Sequence, residues 1–451
     1  MPDTTAVPAL PLDRCALEST ALRALSLARE RGASHAEAET SASVGQSVTV
    51  RLGEVETVEY NRDKSLSLTV YFGKRRGHAS TSDLSGDSIA RTVEAACAIA
   101  RHTAPDDAAG LPDEDRLYRG AAPDLGLCHP WNLTVEEAIG LARETEDAAR
   151  AVDPRITNSE GATVSFGDAD FVFANSLGFV GGSPSSRASI ACGVLAAEGD
   201  SMQRDYWYSS ERDPARLESA AAVGRRAGER AVRRLGARRV ATAEVPVLFE
   251  ANVAGSLIGH FVSAASGASL YRRSSFLVDA AGKPVFSALV TLSEEPHLPG
   301  AMASGWFDGE GVATAPRRVV DAGVLTGYFL SSYSARKLGL ATTGNAGGSH
   351  NLVLQPGAED FEALVRRMGR GLVVTELMGQ GVNPVNGDYS RGAVGFWVEG
   401  GEILYPVEEV TIAGNLPEMY RGIAAVGRDV IVRGARSTGS LLVERMTVAG
   451  H

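Results

Sequence analysis

Lysine is almost missing from this chain of 451 residues: Lys64, Lys74, Lys283 and Lys337 are all it has, and arginine carries the rest of the positive charge. Lys and Arg together number 44 against 55 Asp and Glu, and the net charge of −11 offers no general basic field to phosphate backbones or anionic lipid. Neither nucleic acid nor a membrane surface is expected as a partner. Cysteine is scarce as well. Cys15, Cys97, Cys128 and Cys192 stand far apart without a Cys-x-x-Cys, so reduced thiols are expected and a disulfide or zinc-ribbon framework is not. The longest apolar runs, such as that from Ala95 to Ala100, fall well short of the roughly 18 residues of a spanning helix. Near the amino end, Asp3 and Pro8 stand where a secretory signal would carry basic residues and then an apolar run. A cytoplasmic protein is expected.

What is present is ordinary for a folded chain: 44% hydrophobic and 22% charged residues, which excludes disordered and fibrous classes. Glycine is unevenly spread, with 20 of the 50 before residue 251 and 30 after it, so the two halves are built differently. Apolar spacing predicts a helix from Leu17 to Arg31, then strands around Val48, Val50 and Leu52 and around Leu66, Leu68 and Val70. Ser85 or Asp87 can cap a second helix, completing a small α/β domain over residues 1–104. Residues 105–130 are rich in Pro, Asp and Gly and are expected as a linker. Thr134 and Glu137 form a capping box for a helix that opens a middle α/β segment, residues 131–240, and Asp213-Pro214 predicts another helix running to Leu235. Residues 241–451 alternate strand-like runs, among them 324–330 and 393–398, with glycine turns, and hold two helices, 252–265 and 360–368. The expected class is α+β with a β-rich C-terminal domain.

Common catalytic signatures are absent. None of the pairs Gly309/Gly311, Gly369/Gly371 and Gly379/Gly381 is completed as Gly-x-Gly-x-x-Gly, and the Gly-Lys pairs at Lys74 and Lys283 continue with Arg75 and Pro284 where a P-loop needs Ser or Thr. Ser334 and Lys337 have the Ser-x-x-Lys spacing, which chance supplies readily. No histidine is followed by glutamate, so His-Glu-x-x-His is ruled out. His260, beside Phe261 on a helix, reads first as a packed, hydrogen-bonded imidazole; His297 and His350 could join it in a metal site only if the fold brought them together. Three polar stretches look unusual for loops, residues 199–208, 375–381 and 386–397, and the first and last mix aromatics with Arg and Gly. Such mixtures grip a peptide or a partner, or else turn hairpin corners with aromatic core residues.

These stretches, together with Asn175-Ser-Leu-Gly-Phe179, Tyr271-Arg-Arg-Ser274, residues 331–340 and Ile412-Ala-Gly-Asn415, resemble the TldD/PmbA family, formerly called modulators of DNA gyrase, and in particular its PmbA (TldE) branch. The resemblance covers almost the whole chain. It implies a TldD/PmbA-type fold and a cytoplasmic zinc metalloprotease of two related subunits that degrades unfolded polypeptides and trims leader peptides. In the TldD-type subunit it implies a metal helix reading His-Glu-x-x-x-His and a late cysteine ligand. Here Gly255 stands at the first His, Ser256 at the Glu that would act as base, and His260 alone keeps its place; no cysteine follows Cys192, and Thr438 holds the equivalent position. One ligand of three cannot make a catalytic zinc site.

The resemblance therefore implies a subunit without catalytic residues or metal of its own, with zinc in the TldD-type partner. Tyr389, Arg391 and Trp397 are the expected contacts to substrate or partner. Two rivals stand beside this reading: a self-sufficient metallohydrolase using His260, His297, His350 and an acidic residue, and a protein-binding regulator of DNA gyrase.

Overall fold

Side-chain caps begin the helices where the sequence offers them. In the computed structural model, which describes residues 10–450, α1 (Arg14–Glu30) opens with Asp13 accepting the Ala16 N–H at 2.8 Å. Asp3 and Pro8 lie outside the described residues. Two long strands, β1 (His35–Arg51) and β2 (Glu54–Phe72), form a hairpin whose far arm, residues 54–64 of β2, is exposed throughout. β3 (Arg75–Thr81) follows, then α2 (Gly86–His102), capped by Ser85, and α3 (Val135–Arg150), which has the predicted capping box from Thr134 and Glu137. β4 (Ile156–Asn175), β5 (Val180–Gly181), β6 (Pro184–Glu198) and β7 (Ser201–Glu211) lead to α4 (Ala220–Arg233).

All seven strands belong to one sheet, in the order β3-β2-β1-β4-β6-β7 with β5 paired to β4, so segments on either side of residues 105–130 share one hydrogen-bonded ladder through β1 and β4. Alternation along β1 explains the sheet's two faces. Ala36, Ala38 and Ala42 pack under α1 and α2, and Val48 and Val50 under α3 and α4, while Ser41, Ser43, Gly45 and Ser47 point to the other side. α3 and α4 touch closely because residue 224 is glycine: a Cβ there would stand 2.0 Å from the Thr145 carbonyl oxygen. Residues 105–130 contain little regular structure, yet Leu117, Leu125 and Leu127 are buried with Phe173, Phe179, Trp306 and Phe307.

The rest of the chain runs β8 (Ala243–Phe249), α5 (Ala251–Ala264), α6 (Gly267–Tyr271), β9 (Leu292–Glu294), β10 (Arg317–Asp321), β11 (Val324–Leu325), α7 (Ser332–Leu338), β12 (Leu352–Leu354) and α8 (Phe361–Met368). Then come β13 (Gly371–Val382), β14 (Asp388–Glu399), β15 (Glu402–Asn415), α9 (Leu416–Arg421), β16 (Ile423–Val426), β17 (Ile431–Arg433), β18 (Arg436–Thr438) and β19 (Leu441–Ala449). β15, β14, β13, β8 and β19 pair in that order, and β15 pairs back to β19 through Thr411↔Ala449, Ile412↔Val448 and Ala413↔Thr447, closing a five-stranded barrel. Closure removes both sheet edges. Barrel residues such as Val247, Phe249, Leu372, Val374 and Ile412 share one apolar core with Leu257, Ile258 and Phe261 of α5. A smaller sheet, β11-β10-β9-β12-β18-β17, lies beside it and carries β18 along α5.

Two predicted elements differ. The helix expected from Pro214 is one 3-10 turn, Pro214–Arg216, after which the chain extends until Ser219 caps α4 by accepting from Ala222 N–H. Leu217 in that extended link packs against the core under α3 and α4, and its burial outweighs continuing the helix. In the run 324–330 strand pairing stops after Leu325, because Tyr328 turns inward: its hydroxyl donates to the Leu277 carbonyl and accepts the Ala280 N–H.

Candidate functional site

α5 decides the metal question, and its amino end is tied to the strand segment after β17. Ala251 N–H donates to Ser440 Oγ at 2.9 Å, Ser440 Oγ donates to Asp429 Oδ2 at 2.6 Å, and Thr438 Oγ1 donates to the Ala251 carbonyl at 3.3 Å. These bonds bring residue 255 against residue 438: a Cβ on Gly255 would stand 3.7 Å from Thr438 Oγ1. Positions that the resemblance equates with two metal ligands thus meet in space, held by a glycine and a threonine.

Arginine fills the vicinity. A Cβ on Gly259 would come within 3.0 Å of the Arg436 guanidinium carbon, so two glycines, 255 and 259, make room for Arg436 to lie along the helix. Arg391 approaches from β14. His260 is half-buried; burial first, then the positive fields of Arg391 and Arg436, hold its pKa below the ordinary imidazole value. The same fields oppose a divalent cation. Contrary to the expected hydrogen-bonded imidazole, His260 Nε2 is buried with no hydrogen-bond partner among the described residues.

A catalytic zinc needs three protein ligands and an open position. Here the chain provides one imidazole, a hydroxyl whose proton goes to a backbone carbonyl, carboxylates already bound by Ser440 (Asp429) or by Arg204 and Arg234 (Glu376), and two guanidinium groups, so the residues do not fit the metal. Among the described residues, no three His, Cys, Asp or Glu side chains gather as a metal-holding group. His297 Nε2 pairs with Thr314 Oγ1 at 2.9 Å, and His350 lies between the carbonyl oxygens of Ala303 and Gly344 at 3.2 and 2.9 Å, so the three-histidine site is not assembled. The Ser-x-x-Lys pair also dissolves: Ser334 serves in the cap of α7, and Lys337 binds Asp106 at 2.7 Å.

Beside α5 opens a cavity of about 310 Å³ between β7, β13, β14 and the β17–β18 hairpin. One wall is electrically closed. Arg230 meets Asp205 at 3.2 Å and Glu250 at 3.1 Å, and Arg234 meets Glu376 at 2.5 Å and Asp205 at 3.5 Å. Glu376 also receives Arg204 at 3.7 Å. The opposite wall holds Arg391, Arg433 and Arg436, and none has an ion-pair partner among the described residues. Arg433 lies over the rings of Trp207 and Tyr208, 4.2 and 4.1 Å from their centroids, and donates to the Tyr208 carbonyl at 2.9 Å. Burial pulls the pKa values of Arg433 and Arg436 down.

Of the three expected contact residues, Arg391 lines this cavity. Tyr389, two residues earlier and so on the same face of β14, is only 2% exposed; its ring stands edge-on to His260 at 5.9 Å, and burial pushes its hydroxyl up to about 12 against the opposing pull of Arg391. Trp397 lies in the barrel core, its Nε1 donating to Glu399 at 3.2 Å. Arg433 and Arg436 went unrecognised in the sequence, although Arg436 stands two residues before Thr438, where the missing cysteine directs attention.

Two other regions carry unusual groups. A broad trough of about 910 Å³ runs over the uncovered face of the first sheet, floored by Ser43, Gly45, Ser165 and Gly167; it is larger than the α5 cavity, and its charged lining residues, Glu59, Asp168, Arg187 and Arg212, are of both signs. On β1, Glu37 is pushed up to about 7, by burial first and then by Glu310, while Arg76 and a hydrogen bond from Tyr71 oppose the shift. Asp308 is pushed up to about 6 by burial although it accepts three backbone N–H groups.

Comparison with known proteins places this geometry. Residues 36–100, 128–235 and 242–450 match the domain 1, central and C-terminal domain signatures of the PmbA/TldA metallopeptidases. Metalloprotease PmbA of Escherichia coli O157:H7 is 47% identical over 96% of each chain, and a PmbA homolog of Haemophilus influenzae is 46% identical over 95% of each. A TldD homolog of the same Haemophilus strain is 21% identical over 90% of this chain and 88% of its own. The crystal structure of a candidate modulator of DNA gyrase from Bacteroides thetaiotaomicron superimposes with a TM-score of 0.90 at 29% identity, covering 96% of this chain and 98% of that one. With three consecutive domains matched and nearly half of all residues shared along almost the full length, the chain belongs to the PmbA/TldD metallopeptidase family, in its PmbA branch.

Proposed function

We propose that this chain is the non-metal subunit of a two-chain PmbA/TldD peptidase that cleaves unfolded polypeptides and leader peptides in the cytoplasm. Its task is to complete a substrate chamber around zinc held by a TldD-type partner. One observation carries the reading: Arg436 and Arg391 flank His260, so the remnant metal helix is electrostatically opposed to the ion that the family's chemistry requires. A PmbA homolog and a TldD homolog coexisting in one Haemophilus strain support the division into two chains. In that division this chain's residues position substrate and keep bulk water out, while Arg391 contacts the bound segment. The open trough over the first sheet suits an extended chain and not a folded domain.

The test is reconstitution. Mixed with a TldD-like chain, this protein is expected to give a chelator-sensitive peptidase that cuts unfolded casein and spares compact domains, with neither chain active alone. Stoichiometric zinc and hydrolysis in the isolated chain, or full activity of the TldD-like chain under dilution that prevents assembly, would refute the reading.

A further inference from the structure

We propose that the cavity beside α5 is a carboxylate site, in which Arg391, Arg433 and Arg436 receive a carboxylate group of a bound peptide. The proposal rests on the reading that this chain handles peptides, and it names the chemical feature that the chain recognises.

The first support is a charge imbalance across one small space. Six arginines surround the cavity or its back wall; Arg204, Arg230 and Arg234 are matched by Glu160, Glu376, Asp205 and Glu250, and the other three are matched by no carboxylate among the described residues. Glu376, the carboxylate lining the cavity, is already held by Arg234 and Arg204. All three are half-buried, and a guanidinium partly withdrawn from water without an anion is costly, so three of them together make a place that an anion would stabilise.

The second support is which atoms lack partners. Arg433 Nε and Nη2 and Ser256 Oγ are buried with no hydrogen-bond partner among the described residues, and Arg391 Nε, buried as well, has the neutral Tyr389 hydroxyl beside it. Each can donate, and between them they offer a planar guanidinium edge plus a hydroxyl, the pattern that suits a two-oxygen acceptor. Ser256 stands where the resemblance put the glutamate base of a metal helix, so a carboxylate here would come from the ligand where the family pattern has one from the protein.

The third support concerns the ligand's class. β7 is an edge strand, but at the cavity part of its main chain is already taken: Tyr206 N–H donates to Asp205 Oδ1 at 2.7 Å, and the Tyr208 carbonyl accepts from Arg433. These bonds compete with an added strand there and favour a peptide held through a side chain or its own end. Val253 and Leu377 in the lining give the methylenes of such a group an apolar contact, and the net charge of −11 disfavours a polyanion.

The test uses the full-length chain without a partner and three short peptides by titration calorimetry: acetyl-Ala-Ala-Glu-amide, acetyl-Ala-Ala-Gln as the free acid, and acetyl-Ala-Ala-Gln-amide. One carboxylate peptide is expected to bind at least about tenfold more tightly than the neutral amide, and which one does so tells an acidic side chain from a chain terminus. Arg391→Gln and Arg436→Gln are each expected to abolish that preference while the chain still unfolds cooperatively. Equal binding of all three peptides, no binding of any, or tighter binding of inorganic phosphate than of either carboxylate peptide would overturn the site. Because the wild-type chain alone decides the peptide comparison, a misfolded variant cannot mask the answer. Carboxylate preference without partner-dependent hydrolysis would leave this site standing and remove the peptidase reading; hydrolysis without the preference would do the reverse.

Discussion

Arg230 and Arg391 stand at one cavity and carry the same charge, yet they belong to different kinds of wall. Arg230 reaches two carboxylates, one of them the nearly inaccessible Asp205, and completes an ion-pair network that joins β7, α4 and the start of α5. Arg391, with Arg433 and Arg436, faces the space without an acidic partner. Protein interiors tolerate the first arrangement for what it holds together and the second only for what it awaits. The contrast teaches that arginine content by itself says little about binding; the informative quantity is the local surplus after each carboxylate has been assigned.

Removing a member of the closed wall is expected to have the largest effect. Arg230→Ala leaves Asp205 to Arg234 alone, at 3.5 Å, and Glu250 without an arginine, and should cost about 3 kcal/mol, read by urea denaturation. A loss below about 1 kcal/mol would erase the distinction between the walls. Glu37→Gln extends the comparison to a buried charge of opposite sign, which Arg76 and Tyr71 offset only in part. Its carboxyl is raised to about 7 in the folded chain against 4.5 ordinarily, so the folded state holds the proton more tightly and stability falls as pH rises between those values, staying low above 7. The amide should restore about 1–2 kcal/mol at pH 8, a figure reduced because solvent reaches part of the side chain, and add almost nothing below pH 4.5. Unfolding at both pH values checks it.

Arg391→Gln should leave stability unchanged or raise it by up to about 1 kcal/mol, since the glutamine relieves a surplus and breaks no ion pair. A loss as large as that of Arg230→Ala would show that Arg391 has a structural partner. The smallest expected effect is from zinc. At ten micromolar metal the melting temperature of the isolated chain should not move, because binding to the folded state alone would raise it; a clear rise that disappears in His260→Ala would make His260 a ligand.

Local signals made much of the fold legible. The caps at Ser85 and at Thr134 with Glu137 and the apolar spacing of α5 and α8 each lie within a few residues and describe their helices without help from the rest of the chain. Barrel closure has no such signature, because Thr411 meets Ala449 across separate strands whose alternation would suit an open sheet equally. The site divides in the same way. Gly255, Ser256 and His260 fall in one helical word, and their departure from a metal helix can be read directly. Arg436 joins them from 180 positions away, through the pairing of β12 with β18, and its lack of a counter-charge emerges only when every carboxylate nearby has been placed. Trp397 illustrates the opposite error: an aromatic in a polar stretch invites a binding role, but strand alternation turns it into the barrel.

Barrel closure also imposes an order of events during synthesis. The first sheet has all its strands once Glu211 has emerged, and the helices covering it are complete by Arg233. β8 follows at once, but its neighbours in the barrel are β13 and β19, the latter roughly 190 residues further along the chain. At translation rates of about 5–20 residues per second, β8 waits roughly 6–25 s for β13, about 120 residues on, and roughly 10–40 s before β19 covers its second edge. A ribosome-bound chain of this length therefore passes through a stage in which the first sheet has all its strands while β8 displays an open edge and Phe173 and Phe179 still lack Trp306 and Phe307.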